Sequence, residues 1–430
     1  MSSLVERSRQ FIDRRLTRSY IQTICILFLL AFLTALIVSF LGGKRGRTVF
    51  GPFLGADFGS LYVAGKIYDT HSPDRIYDAG LHQQLYREAF PDAPPDSQLP
   101  YANAPFFILP LALLARLPYS WAFLTWLLLS VCLYIAGFSL VWRVLNAIPK
   151  DAWLTSLLLA VSFMPFLAEC LAGGQTSAWG FFFLALAING ERRNQVLSGA
   201  ALSLCSYKPT LLLLIVPMLL VSRRFMTFLG FIIGNGLLIV ASLLAVGWQG
   251  CIGYLKALLY FTNASTSVAL GLRSWKYVDV NSFFRLLLVN HANLRWVMTV
   301  SAFLLVVPLL IKAWYRPEPE GANGPARIWA LTLTWTPVLN LYMGIYDSCL
   351  LVLAALLASD LFLRTARGDK PTLAPAQKYI LLLLYITPWI TQPLARATGL
   401  QIYTLVIALF GYYQILERQR SQVPQSRYSN

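Results

Sequence analysis

Long apolar runs separated by short polar breaks follow one another along almost the whole chain. The first run, residues 20–41, is long enough to cross a bilayer core, which takes about 20 apolar residues in a helix. It is too long for the apolar core of a signal peptide, and no cleavage site of small residues follows it, so we expect an uncleaved first span. The later runs, up to residue 416, predict an all-α polytopic membrane protein with about 12 transmembrane helices.

The basic residues predict which breaks face the cytoplasm, because short cytoplasmic loops carry an excess of Lys and Arg. Five arginines precede the first span, at positions 7, 9, 14, 15 and 18. Later basic breaks contain Arg143 with Lys150, Arg192 with Arg193, and Arg223 with Arg224. We therefore predict two cytoplasmic termini, a basic one (residues 1–19) and a polar tail (residues 417–430), around a single transmembrane domain of residues 20–416.

Two other breaks, Gly173-Gly174-Gln175 and Lys208-Pro209, are small or polar, and we expect them at the outer face. This arrangement makes residues 104–116 a re-entrant or interfacial segment. In a rival topology residues 104–116 form a true span and residues 197–221 form one kinked helix. The rival is disfavoured because it leaves several basic breaks outside.

Two long polar stretches, residues 42–103 and 247–295, are predicted to be extracytoplasmic loops. In the first, Tyr77, Leu81, Leu85 and Ala89 recur every four residues, with His82 among the residues of the other faces. This spacing predicts an amphipathic helix at the membrane surface. Residues 57–69 predict another, less regular helix.

Composition excludes several classes of protein. Hydrophobic residues make up 57% of the chain and charged residues only 13%, too few to cover a soluble protein. The net charge of +16 lies in short loops, which favours the membrane pattern over a nucleic-acid surface, so we expect no nucleic-acid partner. The six cysteines and three histidines show no ligand spacing, and we expect neither a metal ion nor a cofactor.

Asp57 is the first candidate for chemistry, because a carboxylate near the bilayer is costly and requires a reason. It follows the stretch Gly51-Pro52-Phe53-Leu54-Gly55-Ala56, beyond the first span. Held at the membrane surface, it would serve as a general base for a hydroxyl group. The alternative is a helix N-cap, since Asp before residues 58–65 would cap well.

Polar residues later in the chain are weaker candidates. Lys208 interrupts an apolar stretch at a proline, where it would hold a phosphate or snorkel to the headgroups. Gln175, after two glycines, would orient sugar hydroxyls or simply close a turn. Tyr346 and Asp347 combine an aromatic ring with a carboxylate, which suits sugar binding, although Tyr is also common at membrane interfaces. Arg273, Lys276 and Asn281, in the second long polar stretch, would complete a phosphate site.

Nothing in the sequence predicts a nucleotide site. It has no phosphate-binding loop with a Walker lysine, no dinucleotide-binding glycine pattern and no Asp-x-Asp motif in a soluble domain. An activated donor is therefore expected to arrive through the membrane.

Short stretches distributed over most of the chain resemble a known family in order and spacing. They are Asp57-Phe58, Ala64-Gly65, Tyr77-Asp78, Tyr101 to Pro105, Leu117-Pro118, Trp126, Gly174-Gln175, Gly199, Lys208-Pro209, Thr336-Pro337 and Tyr346-Asp347. With an acidic residue in the loop after the first span, the chain resembles the GT-C glycosyltransferases. Within them it resembles glycosyltransferase family 87, or DUF2029, which includes polyprenol-phosphate-mannose-dependent α-1,2-mannosyltransferases.

The resemblance implies a GT-C-like helix bundle that moves a hexose, mannose above others, from polyprenyl phosphate to a hydroxyl of a glycan or glycolipid. Asp57 would be the base, and Lys208 and Arg273 would bind the donor phosphate. Gln175, Tyr101, Asn281, Tyr346 and Asp347 would bind the sugar or the acceptor. No metal would be required, and the bacterial inner membrane would be the location.

Two other functions stay open at this point. Broken helices around a buried lysine are also a feature of transporters, so a transporter or flippase of lipid-linked sugars is the main alternative. A non-catalytic scaffold, or a polysaccharide ligase or polymerase, is the second. A structured acidic loop of about 60 residues favours the transferase over the transporter.

Overall fold

A computed structural model describes residues 17–42, 55–93, 100–266, 274–315, 324–366 and 372–421. The described residues are helical and contain no β-strand. One isolated antiparallel bridge joins Tyr277 and Gly344. The prediction of an all-α polytopic membrane protein is confirmed.

Five described helices are long and apolar enough to cross a membrane: Arg18–Gly42, Tyr119–Trp142, Phe225–Tyr260, Ala292–Tyr315 and Ile345–Thr365. Lys150–Val161 and Pro165–Ala172 add a sixth span if they are counted as one helix bent by 51°. The part of the chain that the structure describes therefore contains fewer unbroken membrane-spanning helices than the predicted number of about 12. The other apolar runs are short or interrupted, because prolines and paired glycines end helices.

The remaining helices are shorter or more polar. They are Ala56–Thr70, Ala79–Ala89, Ile108–Ala115, Ser177–Gly190, Gln195–Ser203, Ile215–Val221, Val280–Leu287, Gly324–Val338, Pro375–Thr398 and Ile402–Ser421. Short 3₁₀ turns cover Pro73–Tyr77, Pro105–Phe107, Leu204–Tyr207, Pro209–Leu212, Ser274–Lys276 and the start of Ile345–Thr365, at Ile345–Leu350. The helix from Phe225 continues to Thr266, with a bend at Gly247, where we predicted the second outer loop to begin.

Several helices run from a common end to basic breaks at the other end. Helix Ser177–Gly190 begins after Gln175 and ends beside Glu191, which pairs with Arg224. Helix Leu351–Thr365 begins after Asp347 and ends with Arg364, which pairs with Asp360. The polar breaks and the basic breaks thus lie at opposite ends of these helices.

The basic end is held together by a buried carboxylate. The Oδ1 atom of Asp360 accepts hydrogen bonds from the backbone N–H groups of Asn146, Ala147 and Ile148, at 2.8, 2.6 and 3.2 Å. Nearby along the chain, Arg18 at the start of the first span pairs with Asp151 at 2.5 Å. The first span is therefore anchored at the basic end of the bundle.

The segment of residues 105–115 is a short helix that packs on helix Ala56–Thr70. That helix belongs to residues 42–103, the first of the two predicted extracytoplasmic loops, which we call the first outer loop. At about 1.5 Å per residue it spans about 16 Å, which is too short to cross a bilayer. A Cβ atom on Gly65 would lie 2.5 Å from the Leu111 carbonyl oxygen, so the two helices touch through backbone. Arg116 pairs with Asp69 at 3.0 Å just beyond this contact. These contacts agree with the re-entrant or interfacial interpretation of this segment.

The second helix of this stretch, Ala79–Ala89, has one buried face and one exposed face, as the sequence predicted for an amphipathic helix. Asp78 caps it by accepting from the Leu81 N–H at 3.0 Å. The buried face is wider than the predicted stripe: besides Leu81 it includes His82, whose Nε2 atom lies 3.0 Å from the Ser60 carbonyl oxygen. The reason is that this helix packs against Ala56–Thr70, and His82 and Tyr86 lie in that contact.

Candidate active site

Asp57 lies in the first turn of helix Ala56–Thr70, at the end of the bundle opposite to the basic breaks. The N-cap residue is Gly55, in a left-handed conformation with φ of 64°, and no side chain caps this helix. The alternative interpretation of Asp57 as the N-cap is therefore wrong. The backbone fixes its position, because the Asp57 N–H donates to the Gly173 carbonyl oxygen at 3.1 Å.

Gln175 provides the hydrogen bond that orients the Asp57 carboxylate. Its Nε2 atom donates to Asp57 Oδ2 at 2.6 Å. Gln175 follows a π-helix, Pro165–Ala172, that ends in the paired glycines. Single π-helical turns are common at functional sites, because they redirect the chain within a helix.

Gly174 is required by the close contact between this turn and the first outer loop. Its φ is 74°, and a Cβ atom there would lie 2.5 Å from the Phe58 Cβ. Trp126 Nε1 donates to the Gly174 carbonyl oxygen at 3.1 Å, and the rings of Trp126 and Phe58 lie 5.4 Å apart. Three stretches on which the family resemblance depends, Asp57-Phe58, Trp126 and Gly174-Gln175, thus meet at one place.

The surroundings of Asp57 set its proton affinity. Burial raises the pKa of the Asp57 carboxyl above its ordinary value, and the Gln175 hydrogen bond acts against this rise. The charges of Lys276 and Lys208 also lower this pKa, whereas the charge of Glu169 raises it. In its ionised form, a carboxylate with a raised pKa is a stronger base than an exposed one.

Lys208 does not face the site as a free cation. Its Nζ lies 2.5 Å from Asp347 Oδ2, and the Asp347 side chain is 2% exposed. Ser177 donates to the other carboxylate oxygen at 2.7 Å, and the Lys208 Nζ lies 4.6 Å from the Tyr346 ring centroid. The structure therefore brings Lys208, Tyr346 and Asp347 together, and the lysine and the aspartate form an ion pair inside the protein.

Tyr101 and Asn281 are buried in packing contacts and do not line the cavity described below. The Tyr101 ring lies 5.4 Å from the Tyr77 ring, and the Asn281 Nδ2 donates to the Leu341 carbonyl oxygen at 2.8 Å. Arg273 lies outside the described residues, so its proposed contact with phosphate stays a prediction.

The second outer loop is tied to the hairpin that contains Asp347. Asp279 accepts hydrogen bonds from the N–H groups of Ser282 and Met343, both at 2.8 Å. The Val278 N–H donates back to the Met343 carbonyl oxygen at 2.9 Å. Burial raises the pKa of Asp279 to about 6.

A cavity of about 1000 Å³ is large enough for a sugar phosphate and part of an acceptor. Asp57 is not one of its lining residues, but the charges of Glu169 and Lys276, which are, act on the Asp57 carboxyl. Its lining residues are Met164, Glu169, Trp275, Lys276, Trp389, Gln392, Pro393, Arg396 and Ala397. Glu169 stands on the π-helix that leads to Gln175, and Gln392 Nε2 donates to its Oε1 at 2.6 Å.

Lys276 and Arg396 supply the positive charge of the cavity. No hydrogen bond or ion pair joins Lys276 to another residue of the described chain, and the Arg396 guanidinium lies 5.9 Å from the Trp275 ring centroid. Of this lining, the sequence interpretation named Lys276, as part of a phosphate site with Arg273 and Asn281, and that role stays a prediction. It gave no role to Glu169, a carboxylate near the end of an apolar run.

The described residues contain no group of three or more His, Cys, Asp and Glu side chains arranged to hold a metal ion. The sequence profile of glycosyltransferase family 87 matches residues 101–339, more than half of the chain. The chain therefore belongs to glycosyltransferase family 87 and is a membrane glycosyltransferase. The match includes Gln175 and Lys208 and begins after Asp57. No curated protein and no solved structure matches the chain.

Proposed function

We propose that this glycosyltransferase moves a hexose, mannose above others, from polyprenyl phosphate to a hydroxyl group of a lipid-linked or glycan acceptor. The observation that carries the proposal is the Asp57 carboxylate, held by Gln175 and under the charge of Lys276, which lines a cavity together with Arg396. A base next to cations suits the attack of a hydroxyl on a sugar phosphate. The reaction takes place at the extracytoplasmic face of the bacterial inner membrane, with both termini in the cytoplasm.

The chemistry is a single displacement. The acceptor hydroxyl gives its proton to the Asp57 carboxylate while its oxygen forms a bond to the anomeric carbon. The bond between that carbon and the phosphate oxygen breaks, and polyprenyl phosphate leaves with the electron pair. Because the attack comes from the face opposite the leaving group, a β-linked donor gives an α-linked product. The leaving phosphate is already an anion, so no second carboxylic acid has to protonate it.

The charge of the leaving phosphate has to be met by cations. Lys208 is already paired with Asp347, which reduces what it offers to a second anion. Lys276 and Arg396 line the cavity, and neither is paired with a carboxylate among the described residues. We therefore propose that Lys276 and Arg396 bind the phosphate. The Lys208–Asp347 ion pair then has a structural role.

The rest of the lining suits a sugar. The rings of Trp275 and Trp389 offer flat apolar faces, and Glu169 and Gln392 offer hydrogen-bond acceptors and donors for hydroxyl groups. Carbohydrates present both kinds of surface. A transporter would require binding as well, but it has no use for a base such as Asp57.

The test is transfer by the purified protein in liposomes with a labelled donor and a lipid-glycan extract. We expect label to pass from hexosyl polyprenyl phosphate to the glycan, and none to pass from a nucleotide-linked hexose. An α-specific glycosidase should release the label from the product of a β-linked donor. Transfer from the nucleotide sugar, or a β-linked product, would contradict the proposal. Movement of intact donor across the bilayer without transfer would favour a flippase.

A further inference from the structure

The second outer loop reaches the cavity through a short segment, residues 274–279. The segment begins with the 3₁₀ turn Ser274–Lys276, in which Trp275 and Lys276 line the cavity. Between this turn and helix Val280–Leu287 the chain is irregular, so its backbone groups require partners from other parts of the protein. Those partners determine how firmly Lys276 is held at the cavity.

Gln401 binds the carbonyl groups on both sides of Lys276. Its Nε2 atom donates to the Trp275 carbonyl oxygen at 2.8 Å and to the Tyr277 carbonyl oxygen at 3.2 Å. A side-chain amide has two N–H donors, so one group serves both carbonyls. Because the two carbonyl oxygens can only accept, the nitrogen of the amide has to face them.

The side chain of Gln401 is itself fixed. It is 0% exposed, and its Oε1 atom accepts a hydrogen bond from the Thr391 hydroxyl. The Thr391 hydroxyl oxygen accepts in turn from the Tyr403 N–H at 3.3 Å. Both donors and the acceptor of the amide are therefore engaged, which holds the side chain in one orientation.

Gln401 joins two sides of the cavity. It follows helix Pro375–Thr398, whose residue Arg396 lines the cavity from that side. Its two hydrogen bonds go to the loop that carries Lys276 on the other side. The Arg396 guanidinium lies 5.9 Å from the Trp275 ring centroid, so the two sides also meet directly. Gln401 thus ties the backbone of one cation to the helix of the other.

The segment has further anchors after Lys276. The Thr404 hydroxyl donates to the Val278 carbonyl oxygen at 2.9 Å, and the Asp279 carboxylate accepts from the Met343 N–H. Loss of the Gln401 hydrogen bonds should therefore loosen the turn at Lys276 while the rest of the segment stays attached.

We propose that Gln401 is a positioning residue for the donor phosphate, because it holds Lys276 and Arg396 at a separation at which both cations bind one phosphate group. The inference rests on the proposed function, in which these two cations bind the phosphate of the lipid donor. It adds a residue that touches neither the donor nor the reacting atoms. Cations whose backbones are already fixed lose less freedom on binding than cations on a loose loop.

A double-mutant cycle tests whether Gln401 acts through Lys276. The measured quantity is the affinity of the purified protein in nanodiscs for radiolabelled polyprenyl phosphate. Gln401→Met keeps the length of the side chain and removes both donors, so we expect binding to weaken by at least about tenfold. In a protein that already contains Lys276→Met, the same change should have little further effect. Binding of polyprenol, which has no phosphate, should be equal in all four proteins.

Gln414→Met is the matched control. Gln414 is a buried amide on helix Ile402–Ser421, and its Nε2 atom donates to the Thr334 hydroxyl at 2.8 Å. This variant loses a buried hydrogen bond as Gln401→Met does, but it should bind polyprenyl phosphate with the affinity of the wild type. A milder second variant, Thr391→Val, removes the bond that orients Gln401 and should weaken binding by about two- to tenfold.

Amide hydrogen exchange gives a measurement that requires no ligand. The Tyr277 N–H donates to the Ser274 carbonyl oxygen at 3.1 Å within the turn that Gln401 holds. Exchange in the peptide of residues 274–279 should be faster in Gln401→Met than in the wild type, and unchanged in Gln414→Met.

Three results would overturn the proposal. The first is an additive effect of Gln401→Met and Lys276→Met, which would show that the two residues act independently. The second is an equal loss of binding for polyprenol and polyprenyl phosphate, which would show a general loss of structure. The third is unchanged hydrogen exchange of residues 274–279 in Gln401→Met.

Transfer by the wild type separates this proposal from the proposed function. If the cycle shows coupling but the wild type transfers no hexose from polyprenyl phosphate, the positioning role stands and the proposed reaction is refuted. If the wild type transfers hexose and the effects in the cycle are additive, the reaction stands and the positioning role of Gln401 is refuted.

Discussion

The Nζ atom of Lys208 lies 2.5 Å from the Oδ2 atom of Asp347, and the two side chains are 19% and 2% exposed. Each residue stabilises the buried charge of the other, and Ser177 supplies a further hydrogen bond to the carboxylate. The charge of Lys208 is therefore already compensated within the protein. In the proposed reaction, Lys276 and Arg396 supply the counter-charges for the leaving phosphate.

The Lys208–Asp347 pair should show strong coupling in stability. Removing one partner leaves an uncompensated buried charge, so Lys208→Met or Asp347→Asn alone should destabilise the protein by about 3 kcal/mol. The double variant should lose much less than the sum, because no unpaired charge remains. Thermal unfolding of the purified protein in detergent measures all three.

The exposed pair of Arg116 and Asp69 is the matched control, with side chains 62% and 31% exposed. Its single variants, Arg116→Gln and Asp69→Asn, should each change stability by about 0–1 kcal/mol. Additive effects of Lys208→Met and Asp347→Asn would show that the buried pair is not coupled.

Gln175 should control the pH dependence of transfer. Its amide donates to the ionised form of Asp57 and so lowers the pKa of that carboxyl, against the effect of burial. In Gln175→Leu the pKa of Asp57 rises further. Because only the ionised carboxylate is a base, activity is lost as the pH falls through this pKa, and the acid limb of kcat/KM should move to higher pH.

The control for this profile is Gln84→Leu, which removes an exposed amide that donates to Glu88 at 2.9 Å in the first outer loop. This variant should keep the wild-type acid limb. An unchanged acid limb in Gln175→Leu would mean that another group titrates in that limb.

Gly174 should not tolerate a side chain. In Gly174→Ala the residue would have to keep a φ of 74°, and its Cβ would lie 2.5 Å from the Phe58 Cβ. The first outer loop would have to move, taking Asp57 with it, so transfer should fall by at least about 10²-fold. Gly236→Ala is the control, since no atom lies within 4 Å of a Cβ at that helical position, and it should be neutral or stabilising.

Asp279 should make the folded protein less stable as the pH rises through the acid range. Its pKa in the folded protein is about 6, above the ordinary 3.8, so between these values the folded state holds a proton that the unfolded state has released. The contribution of this group to stability therefore falls as the pH rises from about 4 to 6. Asp279→Asn should remove that slope and, because an amide nitrogen cannot accept, weaken the bond from the Met343 N–H.

Asp78 provides a comparison of opposite sign. Its bonds to the Leu81 N–H and to Arg75 lower its pKa, so its contribution to stability is present above the ordinary pKa and is lost as the pH falls. The measurement is the melting temperature of each variant and of the wild type between about pH 3 and pH 7, a range that includes the ordinary carboxyl pKa of 3.8 and the value of about 6 for Asp279. As the pH changes, the curves of Asp279→Asn and Asp78→Asn should depart from the wild-type curve in opposite directions. Parallel curves would contradict this assignment.

The elements around Asp57 could be predicted because each carries a local signal. An acid after an apolar span, a pair of glycines before Gln175 and a lysine before Pro209 all interrupt regular patterns. Such interruptions are rare in membrane helices and cost free energy, so they indicate function. The structure brings Asp57 and Gln175 into contact although they are distant in the chain.

Most of the cavity could not be predicted, because apart from Lys276 none of its outer residues is unusual where it stands in the sequence. Trp275, Gln392 and Arg396 are ordinary residues for the end of a span or a polar loop. They meet only through the packing of the late helices against the second outer loop. The burial of His82 could not be predicted for a related reason: a spacing of four identifies a helix but not every residue that meets a neighbour.

The central claim is that Asp57 is the catalytic base, and the most direct measurement is transfer by Asp57→Asn. The variant keeps the shape of the side chain and loses its basicity. With equal amounts of protein in the membrane, transfer from hexosyl polyprenyl phosphate should fall by about 10²–10⁴-fold, while Asp69→Asn on the same helix keeps it. Transfer by Asp57→Asn at the wild-type rate would contradict the account.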